Sequence, residues 1–329
     1  MAKQEDKPIL RWTVGPCNGT LGYSTLRESC HKMIELYGNE FRYFICYNNQ
    51  KRSALKLLNR ISDETGVICI EQKSDDMAIQ VPAALRNLPN HFPMKNSYCR
   101  GSFWKLAPAR LDINVHEIIM DNDIVLTRRL PEFEKFLQSE NNMLLEDQFR
   151  WYGAYSPYIA PANLINSGII GLHPGYNFEE SLNETYYRRD GLQNYTQGDE
   201  QGLVVLTLIS EPKMPIIIRK QHVVELLGDR GAYEKDAKEM LACLGRLCDY
   251  ISEDDVFGFH FVQANKLTSH PGWTYYLRMK NQGFSVYRDS FGGSDDKKLL
   301  ALLEEAYREG WRGSMELMQE SIHQIMRKI

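Results

Sequence analysis

The residues Asp121-Asn122-Asp123 follow the apolar run 117–120. Two carboxylates two positions apart, at a strand end where side-chain alternation breaks, can converge on one divalent cation. Hard oxygen ligands suit Mg²⁺ or Mn²⁺, and a cation held that way can neutralise a diphosphate. An Asp-rich turn has the same composition, so the pattern needs company. Three polar groupings supply it. Asn166-Ser167-Gly168 sets an amide, a hydroxyl and a glycine at the start of an apolar strand, where a ligand can approach the backbone closely. Gly198-Asp199-Glu200-Gln201-Gly202-Leu203 gathers polar side chains at a helix start, where Asp199 could equally be an N-cap. His260, on a short aromatic strand with Lys266 six residues on, could complete a two-carboxylate metal site or be a structural histidine.

These residues need elements to position them. Ile9–Val14 reads as a strand ending at Gly15-Pro16, followed by a helix over 25–37, a strand over 41–47, a helix over 51–65 and a strand over 67–72. Such alternation builds a parallel sheet with helices on its faces, and ligands then gather at the carboxyl ends of the strands. A helix over 98–107 leads to the strand 117–120 that ends on Asp121. Further on come a helix over 131–138, an aromatic-rich polar stretch over 147–158, a strand over 164–172 and a helix over 199–208. The strands Ile216–Ile218 and 256–262 follow. The aromatics at 149–158 could stack on sugar rings, although a place in the core explains them slightly better. The expected organisation is one α/β domain over 1–285 with a C-terminal helical appendage, 286–329, packed on it.

Composition narrows the classes. Among 329 residues, 39 Lys and Arg face 43 Asp and Glu, a net charge of −4, so nucleic acid is not an expected partner. The seven cysteines include no C-x-x-C pair, which argues against a zinc site or a disulfide framework. The charged start MAKQEDKPIL and the lack of a long apolar run predict a cytoplasmic protein with at most peripheral membrane contact. That contact would come from the amphipathic C-terminal segment.

The order Asp121-Asn122-Asp123, Asn166-Ser167-Gly168, Gly198-Asp199-Glu200-Gln201-Gly202-Leu203 and His260-x5-Lys266 resembles the glycosyltransferases of the GT-A fold. It is most similar to family 8, which contains glycogenin, galactinol synthase and bacterial lipopolysaccharide galactosyl- and glucosyltransferases. The resemblance covers roughly residues 9 to 275 and implies a mostly parallel central sheet flanked by helices. It implies that Asp121, Asp123 and His260 hold Mn²⁺ (or Mg²⁺) on a nucleotide-diphosphate sugar donor. It makes Tyr23, in the loop after the first strand, a neighbour of the base, and Lys266 a contact of the diphosphate. Asn122, Asn166, Ser167, Gly168 and Lys105 join the donor site, Lys105 standing where the family usually has an Arg. Asp199, Glu200 and Gln201 become the catalytic group, with the family's Asp role open between Asp199 and Glu200.

Other positions depart from the family. Cys17-Asn18-Gly19-Thr20 lacks the family's aspartate ahead of the tyrosine, Gln263 replaces a glycine of the His motif, and Lys266 is followed by Leu267-Thr268-Ser269-His270-Pro271-Gly272-Trp273 rather than Pro-Trp. The implied activity is transfer of a hexose from a nucleotide-diphosphate sugar, with UDP the expected carrier, to a hydroxyl of a glycan, lipid or protein acceptor with retention. Two alternatives stand beside it. Residues 118–125 also fit the nucleophile motif of haloacid-dehalogenase-like phosphatases, with Asp121 as nucleophile. The chain could also be a catalytically inactive nucleotide-sugar-binding protein.

Overall fold

The computed structural model of the protein describes residues 6–15, 20–47, 52–72, 104–106, 108–146, 152–160, 164–188, 199–227 and 256–262. Strands β1 (Ile9–Val14), β2 (Arg42–Tyr47) and β3 (Ile68–Glu71) alternate with helices α1 (Thr20–Tyr37) and α2 (Arg52–Thr65). Then come β4 (Glu117–Asp121), β5 (Ile124–Leu126), α3 (Pro131–Leu137), β6 (Met143–Glu146), β7 (Ile165–Leu172) and α4 (Phe178–Tyr187). Helix α5 (Asp199–Ile209) and strands β8 (Ile216–Ile218), β9 (Val223–Leu227) and β10 (Gly258–Val262) follow. Short 3₁₀ turns occupy Trp104–Leu106 and Gly153–Tyr158.

Seven strands form a sheet in the order β3-β2-β1-β4-β7-β6-β8, and three form a smaller one, β5-β10-β9. In the large sheet β7 alone runs against its neighbours, pairing antiparallel with both β4 and β6. Alternation along the strands splits the core in two. Leu10, Trp12, Ile118 and Met120 pack under α1, while Ile119, Ile170 and Leu172 pack under α4 and α5. A sheet covered on both faces needs such near-continuous apolar strands, and β4 and β7 supply them.

The mixed α/β sheet flanked by helices is as expected, and several boundaries differ. Helix α1 begins at Thr20 rather than 25, and its Leu26, Cys30 and Met33 are buried in the core. Strands β5, β6 and β9 and helix α4 escape the sequence pattern. The strands are three to five residues long, too short to display a period. Helix α4 did carry a signal, since the Asn177 side chain caps it by accepting the Glu180 N–H. Of the helix expected over 98–107, the described part is a 3₁₀ turn. The proposed boundary at 285 and the C-terminal appendage lie outside the described residues.

Candidate functional site

The site is built where the two sheets meet. Asp121 is the last residue of β4, and Asn122 and Asp123 form the turn into β5. That turn hands the chain from the large sheet to the small one. There, β5 pairs antiparallel with β10, His260 lying opposite Ile124. The Phe261 N–H donates to the Asp123 carbonyl at 2.8 Å, fixing the register that brings the imidazole to the carboxylates. One ligand atom from each of Asp121, Asp123 and His260 lies within 4.8 Å of the others. His260 Nε2 is 3.3 Å from Asp123 Oδ1 without hydrogen-bond alignment, so that buried oxygen has no donor among the described residues. Two carboxylates and an imidazole, with a buried oxygen lacking a donor, fit a small divalent cation.

Strand β7 forms the next wall. Its pairing with β6 jumps from Leu144↔Ile170 to Leu145↔Asn166, so Ser167, Gly168 and Ile169 bulge out of the ladder with β6, while Ile169 stays paired with Met120 of β4. A side chain at Gly168 would have its Cβ 3.2 Å from the His260 ring and 2.7 Å from the Asn166 amide oxygen. The glycine therefore makes room for the imidazole. The Asn166 amide oxygen accepts the Gly168 N–H and holds the bulge together, so this oxygen turns onto its own strand.

Lys105 enters this wall from the 3₁₀ turn and is 4% exposed. Its Nζ lies 2.8 Å from Asp121 Oδ1 and 3.5 Å from Glu200 Oε1. It donates to the Ser167 carbonyl at 2.9 Å and hydroxyl at 3.2 Å. Burial opposes its charge, but Asp121, Glu200 and Asp123 outweigh that and hold its pKa above the usual lysine range. Burial raises the carboxyls of Asp121 and Glu200, with Lys105 pulling both the other way. Three carboxylates around one ammonium leave an excess of negative charge, another feature suited to a cation.

Helix α5 presents its first turn to the same place, and its two acids meet different partners. Asp199 is buried and accepts the Ala154 N–H at 2.7 Å, tying α5 to the 153–158 turn. Glu200 faces Lys105. Gln201 is half-buried, and its Nε2 reaches the Ile165 carbonyl at 3.5 Å. Helix α5 comes this close because Gly202 lies against the 3₁₀ turn: a Cβ there would sit 2.2 Å from the Tyr152 carbonyl oxygen.

Thus Asp121, Asp123, His260, Asn122, Lys105, Ser167, Gly168 and Glu200 come together, while others do not join them as expected. Tyr23 lies not in a loop but in the first turn of α1, 5% exposed in the apolar cluster, with its hydroxyl pushed up to about 12 by burial. Tyr152 and Tyr155 are core residues, and of the described aromatics in that stretch Tyr158 is exposed. Lys266 and Gly198 lie outside the described residues. The sequence reading passed over Arg11 and Glu117, a fully buried ion pair at 2.7 Å behind Lys105. Its signal was a lone cation inside the otherwise apolar ILRWTV.

No family profile matches the sequence, and no curated protein matches it. Among solved structures, the chain is similar to mouse xyloside xylosyltransferase 1 in its apo form. The two share 10% identity with a TM-score of 0.52, over 79% of this chain and 99% of that one. The fold is that of the GT-A glycosyltransferases. Two more distant similarities are to the bifunctional glycosyltransferase WbbM and the galactosyltransferase LgtC. WbbM aligns at 12% identity and a TM-score of 0.49, over 93% of this chain and 52% of its own. LgtC, in complex with donor and acceptor sugar analogues, aligns at 11% and 0.44, over 91% and 99%. The phosphatase alternative places its nucleophile strand first in the domain; here three strands of the same sheet precede β4, and Lys105 is paired with Asp121. Among the described residues no helix is long and apolar enough to cross a membrane.

Proposed function

We propose that the chain is a metal-dependent glycosyltransferase that moves a hexose from a nucleotide-diphosphate sugar, carried on UDP, to a hydroxyl of a glycan, lipid or protein acceptor with retention. The observation that carries this reading is the cluster of Asp121, Asp123 and His260 at the seam of a glycosyltransferase fold, with Lys105 and Glu200 beside it. Asp121, Asp123 and His260 would hold the cation, Mn²⁺ or Mg²⁺, which when bound supplies Lewis-acid neutralisation of the leaving diphosphate.

The chain's own groups do the rest. Lys105 sits between Asp121 and Glu200 in a buried wall and opposes the burial that favours their neutral forms, work that bulk water would otherwise do. Glu200 and Gln201, at the first turn of α5, line the face of the sugar where positive charge develops as the bond to the diphosphate stretches. A buried carboxylate aimed there stabilises that charge more strongly than an exposed one. Asn122, Ser167 and Gly168 form the floor against which the donor rests, and Lys266 adds a point charge for the diphosphate. With retention, the acceptor oxygen arrives on the face the leaving group vacates, so no strong base on the far face is required. Asp199 joins Glu200 and Gln201 at the same helix start and also keeps α5 in place through Ala154.

The test is a thermal-shift series of UDP, GDP and CDP with and without Mn²⁺, followed by mass spectrometry of donor-sugar hydrolysis. A nucleotide at one hundred times its dissociation constant adds about 2.7 kcal/mol, a rise of several degrees. The expected result is a rise with one nucleotide, seen only with metal and lost in Asp123→Ala. Binding without donor turnover would leave a nucleotide-sugar-binding protein. No rise with any nucleotide, together with phosphate release from a simple phosphomonoester, would overturn the transferase reading.

A further inference from the structure

Strand β1 carries one charged residue, Arg11, and its side chain is wholly buried. Its Nε donates to Glu117 Oε1 at 2.7 Å, both side chains having no exposed surface. Its Nη2 reaches the carbonyl oxygens of Pro108 at 2.9 Å, Ala109 at 3.3 Å and Lys105 at 3.4 Å. The other oxygen of Glu117 accepts the N–H groups of Leu111 at 2.8 Å and Asp112 at 3.3 Å. One ion pair therefore holds the backbone of five residues between 105 and 112. That strap begins with the lysine whose ammonium reaches Asp121, Glu200 and Ser167.

Stability alone does not account for the pair. A fully buried ion pair seldom outperforms apolar residues of the same volume, because the desolvation of two charges offsets their attraction. A planar guanidinium, however, can meet a carboxylate on one edge and carbonyl oxygens on another, which neither an apolar residue nor a lysine can do. The arrangement also runs one way: removing Arg11 would leave the buried Glu117 with only the more distant Arg110, 4.0 Å from its other oxygen, and free the carbonyl of Lys105.

We infer that Arg11, together with Glu117, is a positioning residue for the donor site, fixing the 105–112 strap so that the Lys105 ammonium is delivered between Asp121 and Glu200. The importance of Lys105 to the donor rests on the reading proposed above; the clamp itself does not. Arg11→Lys keeps a charge and loses the fork. Glu117→Gln keeps the shape but turns an NH₂ either toward the Leu111 and Asp112 N–H groups or toward the Arg11 Nε–H.

The first readout needs no ligand. Each folded variant is acetylated with limiting acetic anhydride, and Lys105 is followed by mass spectrometry with the exposed Lys213 as internal control. Lys105 should react at least ~10-fold faster in either variant, Lys213 unchanged, as expected if about 1.4 kcal/mol of positioning is lost. The second readout is calorimetric binding of UDP with Mn²⁺. Arg11→Lys should weaken it ~10-fold in the natural background and leave it unchanged beside Lys105→Met, the non-additivity of residues acting as one unit. Unchanged Lys105 reactivity in folded Arg11→Lys or Glu117→Gln, or equal weakening in both backgrounds, would overturn the inference. If the natural protein fails to bind nucleotide, the proposed function falls, while acetylation still decides the clamp. If Arg11→Lys does not fold, Glu117→Gln decides it.

Discussion

Replacing Gly202 by alanine should injure the site without touching it. The added Cβ would lie 2.2 Å from the Tyr152 carbonyl oxygen and 2.8 Å from the Tyr155 Cβ, against an ordinary contact of 3.4 Å or more. Tyr152 caps the 153–158 turn and Tyr155 lies within it, and the turn is pinned by Asp199 and by the Tyr152 hydroxyl accepting the Ile165 N–H. The backbone oxygen cannot swing aside, so α5 must move by about 1 Å, the scale at which overpacking costs roughly 1–3 kcal/mol. Glu200, two residues earlier, moves with the helix, and its 3.5 Å approach to Lys105 opens. A displacement of about 1 Å in a catalytic group can cost on the order of 10²-fold in rate.

The assay is donor turnover and melting temperature for Gly202→Ala beside Gly38→Ala. Gly38 has φ +54° and nothing within 4 Å of its added Cβ. Its substitution should cost about 1 kcal/mol in stability and nothing in rate. The melting temperature of Gly202→Ala should fall by roughly 2–6 °C, and kcat should fall about 100-fold with the fold intact. Unaltered stability would refute the close packing of α5 on the turn. Lost stability with full turnover would refute the dependence of Glu200 on that packing.

Three further outcomes follow from the same geometry. Glu200→Gln should lower kcat by about 10²-fold or more, whereas Asp199→Asn, which disturbs the Ala154 bond, should mainly cost about 1–3 kcal/mol; steady-state kinetics and urea unfolding separate the two. The protection Mn²⁺ gives against heat should shrink as pH is lowered. Burial raises Asp121 and Glu200 in the metal-free protein, so their protonated forms stabilise it at low pH. That contribution disappears as pH rises through the shifted values, where the charged forms instead favour metal. Melting curves with and without Mn²⁺ from pH 5 to 8 would expose an opposite trend (about three pH units suffice). Gly168→Ala should push on the His260 ring and weaken Mn²⁺ binding by about 10-fold, read by calorimetry; unchanged affinity would show that the glycine has no such role.

Much of this was legible before any coordinates. Asp121-x-Asp123 at the end of an apolar strand announces itself because apolar alternation stops on a charged residue. The β1–α1–β2–α2–β3 alternation likewise fixes a parallel half-sheet. What the sequence could not separate was Asp199 from Glu200. Adjacent positions on a helix start point about 100° apart, and only the packing of Gly202 decides which faces the wall. Tyr23 stands on a helix and not in a loop; Gly19 and Thr20 before it offer turn-like chemistry that hides an early helix start. Arg11 was passed over for a related reason: a charge in an apolar strand becomes meaningful only when a partner 106 residues away is known.

The seam between the two sheets has a consequence for how the molecule breathes. Asp121 and His260 belong to different sheets and stand far apart in the chain, so a cation shared by them closes a long loop much as a covalent cross-link would. The small β5-β10-β9 sheet would then be stapled to the larger sheet whenever the cation is bound. The amide of Phe261, bonded to the carbonyl of Asp123 at that junction, becomes a natural reporter: its exchange with solvent should slow on metal binding while amides at the centre of β1 stay as they were. Metal occupancy would set whether this end of the protein behaves as one rigid body or two.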